Sequence, residues 1–187
     1  MRLLFRGLIL LLITFSLVSC KTNVKQEDLP SHIAVGSSYY TQVDMKYEKA
    51  YFLTTNYRRG TSIPVNTKVQ VLGISSKVIE LQVDGFTKPF LIKNAQKHTG
   101  DDIYQTFDKL LSTKKLNLRN YNSLERKYIK SGTVAKGMRK KAVIAAIGYP
   151  PVTKTMSLEV NEWVYWSGRY NTFRVKFTNG KVSSIID

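Results

Sequence analysis

Three rhythms of apolar and polar positions run along the chain, and each predicts a different kind of element. The first is a nearly continuous apolar run of 12 residues, Gly7 to Val18, preceded by Arg2 and Arg6. It is shorter than the roughly 20 residues a membrane-spanning helix needs. With its basic start and small residues at its end, it predicts an export signal over residues 1–19. Residues 20–38 are polar, carry Pro30 and Gly36, and predict a tether.

The second rhythm is β. Tyr51-Phe52-Leu53-Thr54 predicts a strand, and Val69, Val71 and Leu72 another after the turn-rich segment 60–67. Val78-Ile79-Glu80-Leu81-Gln82-Val83 alternates, Asp84-Gly85 offers a tight turn, and Phe90-Leu91-Ile92 closes the set. Residues 39–115 are thus expected to form a β-rich module ending in a helix. Asp101 and Asp102 suit the positive end of that helix, and Ile103, Phe107, Leu110 and Leu111 form its apolar stripe. After a linker over 112–120, a second helix is expected from Ser123 to Lys130. Tyr121, Leu124 and Tyr128 would mark its buried side, and Ser131-Gly132 its end.

The third rhythm fills the C-terminal part. Gly137-Met138 leads into a helix over 139–147 with Val143, Ile144 and Ile147 on its apolar face. Gly148 would end it in a left-handed cap, with Pro150-Pro151 beyond. Trp163 and Tyr165 should point to one side of a strand, Val164 and Trp166 to the other. Thr172–Thr178 alternates, with Phe173, Val175 and Phe177 inward, and Asn179-Gly180 signals a type I′ hairpin. A two-residue loop pairs Phe177 with Val182, and a regular register then sets Val175 against Ser184 and Phe173 against Ile186. Trp163, Tyr165 and Trp166 read as fold determinants rather than a stacking platform.

Composition changes the picture in one respect. The net charge of the 187 residues is +16, with 43% apolar content. Removing residues 1–19, which carry Arg2 and Arg6, leaves 168 residues and a net charge of +14. Such a surface attracts anionic partners. Export points away from nucleic acid and toward anionic lipid, lipopolysaccharide, wall polymer or an acidic protein face. Candidate contact residues are Lys136, Arg139, Lys140 and Lys141 at one helix start, and Arg174, Lys176 and Lys181 on the last hairpin. Tyr57-Arg58-Arg59-Gly60 is a lesser candidate and reads as an ordinary turn. No enzyme signature is present: no nucleophile elbow, phosphate loop or dinucleotide fingerprint, and no cofactor or metal is expected. His32 and His98 stand far apart in sequence.

Cys20 is the one cysteine, and it ends the leader as Leu17-Val18-Ser19-Cys20. These residues resemble the lipobox of bacterial lipoproteins. That resemblance implies cleavage before Cys20 and a covalent diacylglyceryl lipid on its thiol. The product would be lipid-anchored in the bacterial envelope. Lys21 points to the periplasmic face of the outer membrane rather than to the inner membrane. Gly60 to Val71 is similar to bacterial SH3-like domains, with Asn66 standing where their turn has glycine.

Gly137-Met138, Val143, Ile147-Gly148-Tyr149-Pro150, Trp163-Val164-Tyr165 and Phe177-Thr178-Asn179-Gly180-Lys181-Val182 fall in an order that resembles the SmpA/OmlA (BamE-like) outer-membrane lipoproteins. Over residues 121–187 this resemblance implies two helices on a three-stranded antiparallel sheet. The expected fold is therefore α+β: a small SH3-like barrel with a helix, then a BamE-like domain. The implied role is a non-enzymatic scaffold in outer-membrane β-barrel assembly or membrane integrity, with an envelope protein as partner. Two other readings are a binding module for wall polymer or lipopolysaccharide, and an inhibitor built like the β-lactamase inhibitors. Arg139-Lys140-Lys141 departs from the family, because cations at a helix start oppose its dipole.

Overall fold

The structure, a computed structural model, describes residues 23–187. Cys20 and the export signal expected over residues 1–19 lie outside the described residues. The protein is α+β, with two hydrophobic cores.

The first core is wrapped by β1 (Ser38–Thr41), β3 (Tyr51–Leu53), β5 (Lys68–Ile74), β6 (Val78–Val83), β7 (Phe90–Lys93) and β8 (Leu111–Ser112). They form one sheet in the order β3-β7-β6-β5-β1-β8. Its ends, β3 and β8, are not paired to each other, so the sheet is open rather than a closed barrel. The pairs are antiparallel except β3 with β7, which run parallel. Alternation explains these strands: Val69, Val71, Ile79, Leu81 and Val83 face inward, and Gln70, Leu72 and Gln82 outward. A separate ribbon joins β2 (Met45–Tyr47) to β4 (Thr61–Ile63). β4 lies in the segment expected to be only turns. Thr61-Ser62-Ile63 carries a single apolar side chain, so nothing in its pattern marks a strand.

The segment expected to be a tether belongs to this core from its first described residues. Val24 N–H donates to the Ile74 carbonyl at 2.7 Å, and Leu29 and Ile33 are buried. Two apolar side chains amid polar neighbours carried no period to betray this.

A short helix, α1 (Gln96–Thr99), precedes α2 (Ile103–Leu110). Asp102 caps α2: its carboxylate accepts from the N–H groups of Tyr104 and Gln105, and the Gln105 side chain accepts from Asp102 N–H. Ile103, Phe107 and Leu110 face the core. Leu111, expected on the same helical stripe, instead begins β8 and pairs with Thr41.

The second core is built from α3 (Ser123–Ser131), α4 (Lys140–Ile147) and the antiparallel sheet β11-β10-β9, comprising β9 (Glu162–Trp166), β10 (Thr172–Thr178) and β11 (Lys181–Ile186). Trp163 and Tyr165 are fully buried, and Val164 and Trp166 half-buried on the other face. α3 turns Glu125 and Ile129 inward; Leu124, expected on the buried side, is exposed. Asn179 and Gly180 both have positive φ, as a type I′ turn requires. Phe177 pairs with Val182 as expected. A bulge then shifts the register, so that Val175 faces Ile185 and Arg174 faces Ile186. The extra residue brings Ile185, rather than Ser184, opposite Val175, which suits burial. Ile144 packs against both cores.

Candidate functional site

The cations expected to gather at the start of α4 are engaged differently from one another. Glu125 projects from α3 into this helix start and is fully buried. Its carboxylate accepts from Arg139 N–H at 3.0 Å and from Arg139 Nε at 2.7 Å, from Arg139 Nη2, and from Asn122 N–H at 3.1 Å. One carboxylate thus completes the capping box of α3 and supplies the anion that the α4 N-terminus favours. The hydrogen bonds from Arg139 outweigh burial and hold the Glu125 carboxyl down to about 2. The apparent conflict of cations with the α4 dipole is answered here: the acid comes from a neighbouring helix. Lys140 Nζ donates to the carbonyls of Leu158 and Glu159 at 2.8 and 2.9 Å. Lys136 and Lys141 are exposed, with the Lys141 ammonium 5.6 Å from the Tyr121 ring centroid. On the hairpin, Arg174 and Lys176 share Glu162 at 3.8 and 3.5 Å, and Lys181 is exposed. The seven residues therefore do not form one uniform cationic patch.

A polar seam between the two cores is the more constrained feature. Arg58 and Asp44 are paired at 2.7 Å with side chains 7% and 1% exposed. Arg58 Nη2 also donates to the Gly132 carbonyl at 3.1 Å, at the C-terminal end of α3. Asn56 Nδ2 donates to the carbonyls of Ile147 and Tyr149 at 2.7 and 2.9 Å, around the end of α4. Tyr165 Oη donates to the Gly148 carbonyl at 3.1 Å. Carbonyls at helix C-termini carry partial negative charge and lack intrahelical donors. The β-rich unit therefore supplies end groups for both helices of the C-terminal unit. Burial lowers the Arg58 pKa, opposed by Asp44, and burial pushes the Tyr165 phenol well up. In the sequence Arg58 reads as part of an ordinary turn, and no signal there pairs it with Asp44. Arg59, beside it, does lie on the surface, 2.9 Å from Glu48.

Grooves open along the seam. Lys109 and Tyr149 line three adjoining cavities, and the Lys109 ammonium is held 2.7 and 2.6 Å from the two oxygens of Asp101. Burial and the Asp101 charge raise the Tyr149 pKa. His32 contacts Asp108 at 2.7 Å, and His98 contacts Thr153 at 3.0 Å, so the two histidines lie in separate places. Among the described residues, no group of three or more His, Cys, Asp or Glu could hold a metal ion. No helix among them is long and apolar enough to cross a membrane. No family model, curated protein or solved structure matches the chain.

Proposed function

We propose that the chain is a lipid-anchored protein of the bacterial envelope that acts as an interaction scaffold, in outer-membrane β-barrel assembly or in membrane integrity. The lipobox-like Leu17-Val18-Ser19-Cys20 carries this reading. Two helices beside a three-stranded antiparallel sheet over the C-terminal part are compatible with the BamE-like likeness of its motifs. An anchor confines the folded part to the membrane surface and raises its effective concentration toward neighbours there. The seam joining the two cores suits a scaffold, because it fixes one surface relative to the other.

Photo-crosslinking in living cells from Lys136, Lys141 and Lys181 tests the reading. It expects barrel-assembly or other outer-membrane proteins among the adducts. Adducts only with wall polymer or lipopolysaccharide would favour the polymer-binding reading, for which the exposed basic residues speak. Crosslinking to one soluble enzyme, with loss of that enzyme's activity, would replace both with an inhibitor role.

A further inference from the structure

The place of Asn23 in the fold, three residues after Cys20, together with the charges around it, selects one end of the molecule. Two residues, Lys21 and Thr22, separate Cys20 from Asn23. Even fully extended, the steps from Cys20 to Asn23 span roughly 10 Å. From Asn23 onward the chain is fixed to β5: its side chain fills the space a Cβ on Gly73 would need, and Val24 N–H donates to Ile74. If Cys20 carries lipid, the end of β5 near Ile74 is held close to the bilayer.

That end is continuous with an unusual loop. Asn94 N–H donates to the Lys77 carbonyl in the β5–β6 turn. Asn94 leads into α1, where the His98 carbonyl accepts from Val152 N–H and the His98 ring contacts Thr153. The next residue, Lys154, has its ammonium 4.8 Å from the Trp166 ring centroid. Thr155 is buried against β9, accepting from Val164 N–H at 2.8 Å. Met156 is then turned outward and is 94% exposed, with Val152 at 38%. Lys77, Lys97 and Lys154 are all exposed. No acidic residue occurs in 73–79, 94–100 or 148–158, although Glu80, Asp101, Asp102 and Glu159 border these stretches.

Exposed apolar side chains on a loop flanked by exposed cations match the chemistry of an anionic bilayer surface. We infer that this end of the molecule rests on anionic phospholipid headgroups, with Met156 entering the interface and Lys77, Lys97 and Lys154 meeting phosphates. The inference rests on the anchored reading for its geometry, but the charges and apolar groups that carry it belong to the folded part. It would give the scaffold a fixed orientation on the membrane.

The test uses the mature protein from cell membranes, reconstituted in vesicles of phosphatidylcholine with or without cardiolipin. An environment-sensitive dye is placed on Met156→Cys or on Thr87→Cys. Thr87 is exposed in the β6–β7 turn, at the other end of β6, so it serves as the distant reference. Expected are a blue shift at 156 but not at 87, only with cardiolipin, and its reversal in Lys97→Gln/Lys154→Gln. Each lost cation should weaken the resting contact about fivefold. Equal behaviour at 156 and 87, a shift without anionic lipid, or a shift that survives the lysine variants would overturn the inference. If the protein proves unlipidated, the anchored reading fails separately. The Cys20→Ser chain added to the same vesicles then decides the surface by the same readout.

Discussion

Gly132 ends α3 directly against the carboxylate of Asp44: a Cβ on Gly132 would lie 2.7 Å from the carboxyl carbon and from each oxygen. Gly132 also has φ +63, a left-handed conformation that side chains disfavour. Gly148 repeats the close approach at the end of α4, with a Cβ position 2.8 Å from Asn56 Nδ2, but its φ +75 and ψ −171 differ from the left-handed cap expected there. The two helix ends are thus sockets for polar side chains of the other unit. Gly132→Ala should cost at least about 2 kcal/mol, combining backbone strain with overpacking. Chemical denaturation of Gly132→Ala, Asp44→Ala and the double variant checks this. The pair should be non-additive, because the smaller residue at 44 makes room for the methyl.

The Asp44–Arg58 pair joins the cores through a buried charge, so removing either partner leaves the other uncompensated. Arg58→Met should destabilise by about 3–5 kcal/mol, and Asp44→Leu/Arg58→Met should recover much of that loss. Thermal melts monitored by tryptophan fluorescence separate the outcomes. A surface turn at Arg58 would tolerate the single change within about 0.5 kcal/mol.

Acid should loosen the C-terminal unit through Glu125. Its carboxyl is held down to about 2 in the folded protein, against an ordinary value of 4.5. A depressed carboxyl stabilises the fold fully above its unfolded pKa, and the contribution is lost as pH falls from about 4.5 through about 2. Glu125→Gln should therefore cost roughly 3 kcal/mol at neutral pH, and the difference from wild type should fade across that window. Urea unfolding at a series of pH values measures it. Arg139→Gln should weaken the same pH dependence rather than act as a simple loss of surface charge.

Trp163 lies at the centre of the second core, fully buried and 4.7 Å from Phe177 between ring centroids. Trp163→Ala should cost about 3–5 kcal/mol. Wild-type thermal stability in that variant would contradict the packing described for β9 and β10.

The parts of the fold that showed in the sequence were those with a repeating local cause. Alternation marked β6 and β10, the Asn179-Gly180 pair marked the last hairpin, and Asp101-Asp102 marked the start of α2. What stayed hidden depends on contacts between distant segments. β2 and β4 are three residues each, and Ile33 anchors a segment that otherwise looks like a linker. The candidate surface divides the same way. Arg139 stood out as a cation, but its engagement depends on Glu125, which lies 14 residues earlier on another helix. Arg58, Asn56 and Asp44 became a site only when folding brought helix ends to them.

The proposed envelope role turns on Cys20. Mass spectrometry of the amino-terminal peptide from membrane-extracted protein tests it most directly. The account predicts a chain that starts at Cys20 with a diacylglyceryl thioether. An unmodified amino terminus on protein recovered from the soluble fraction would contradict it.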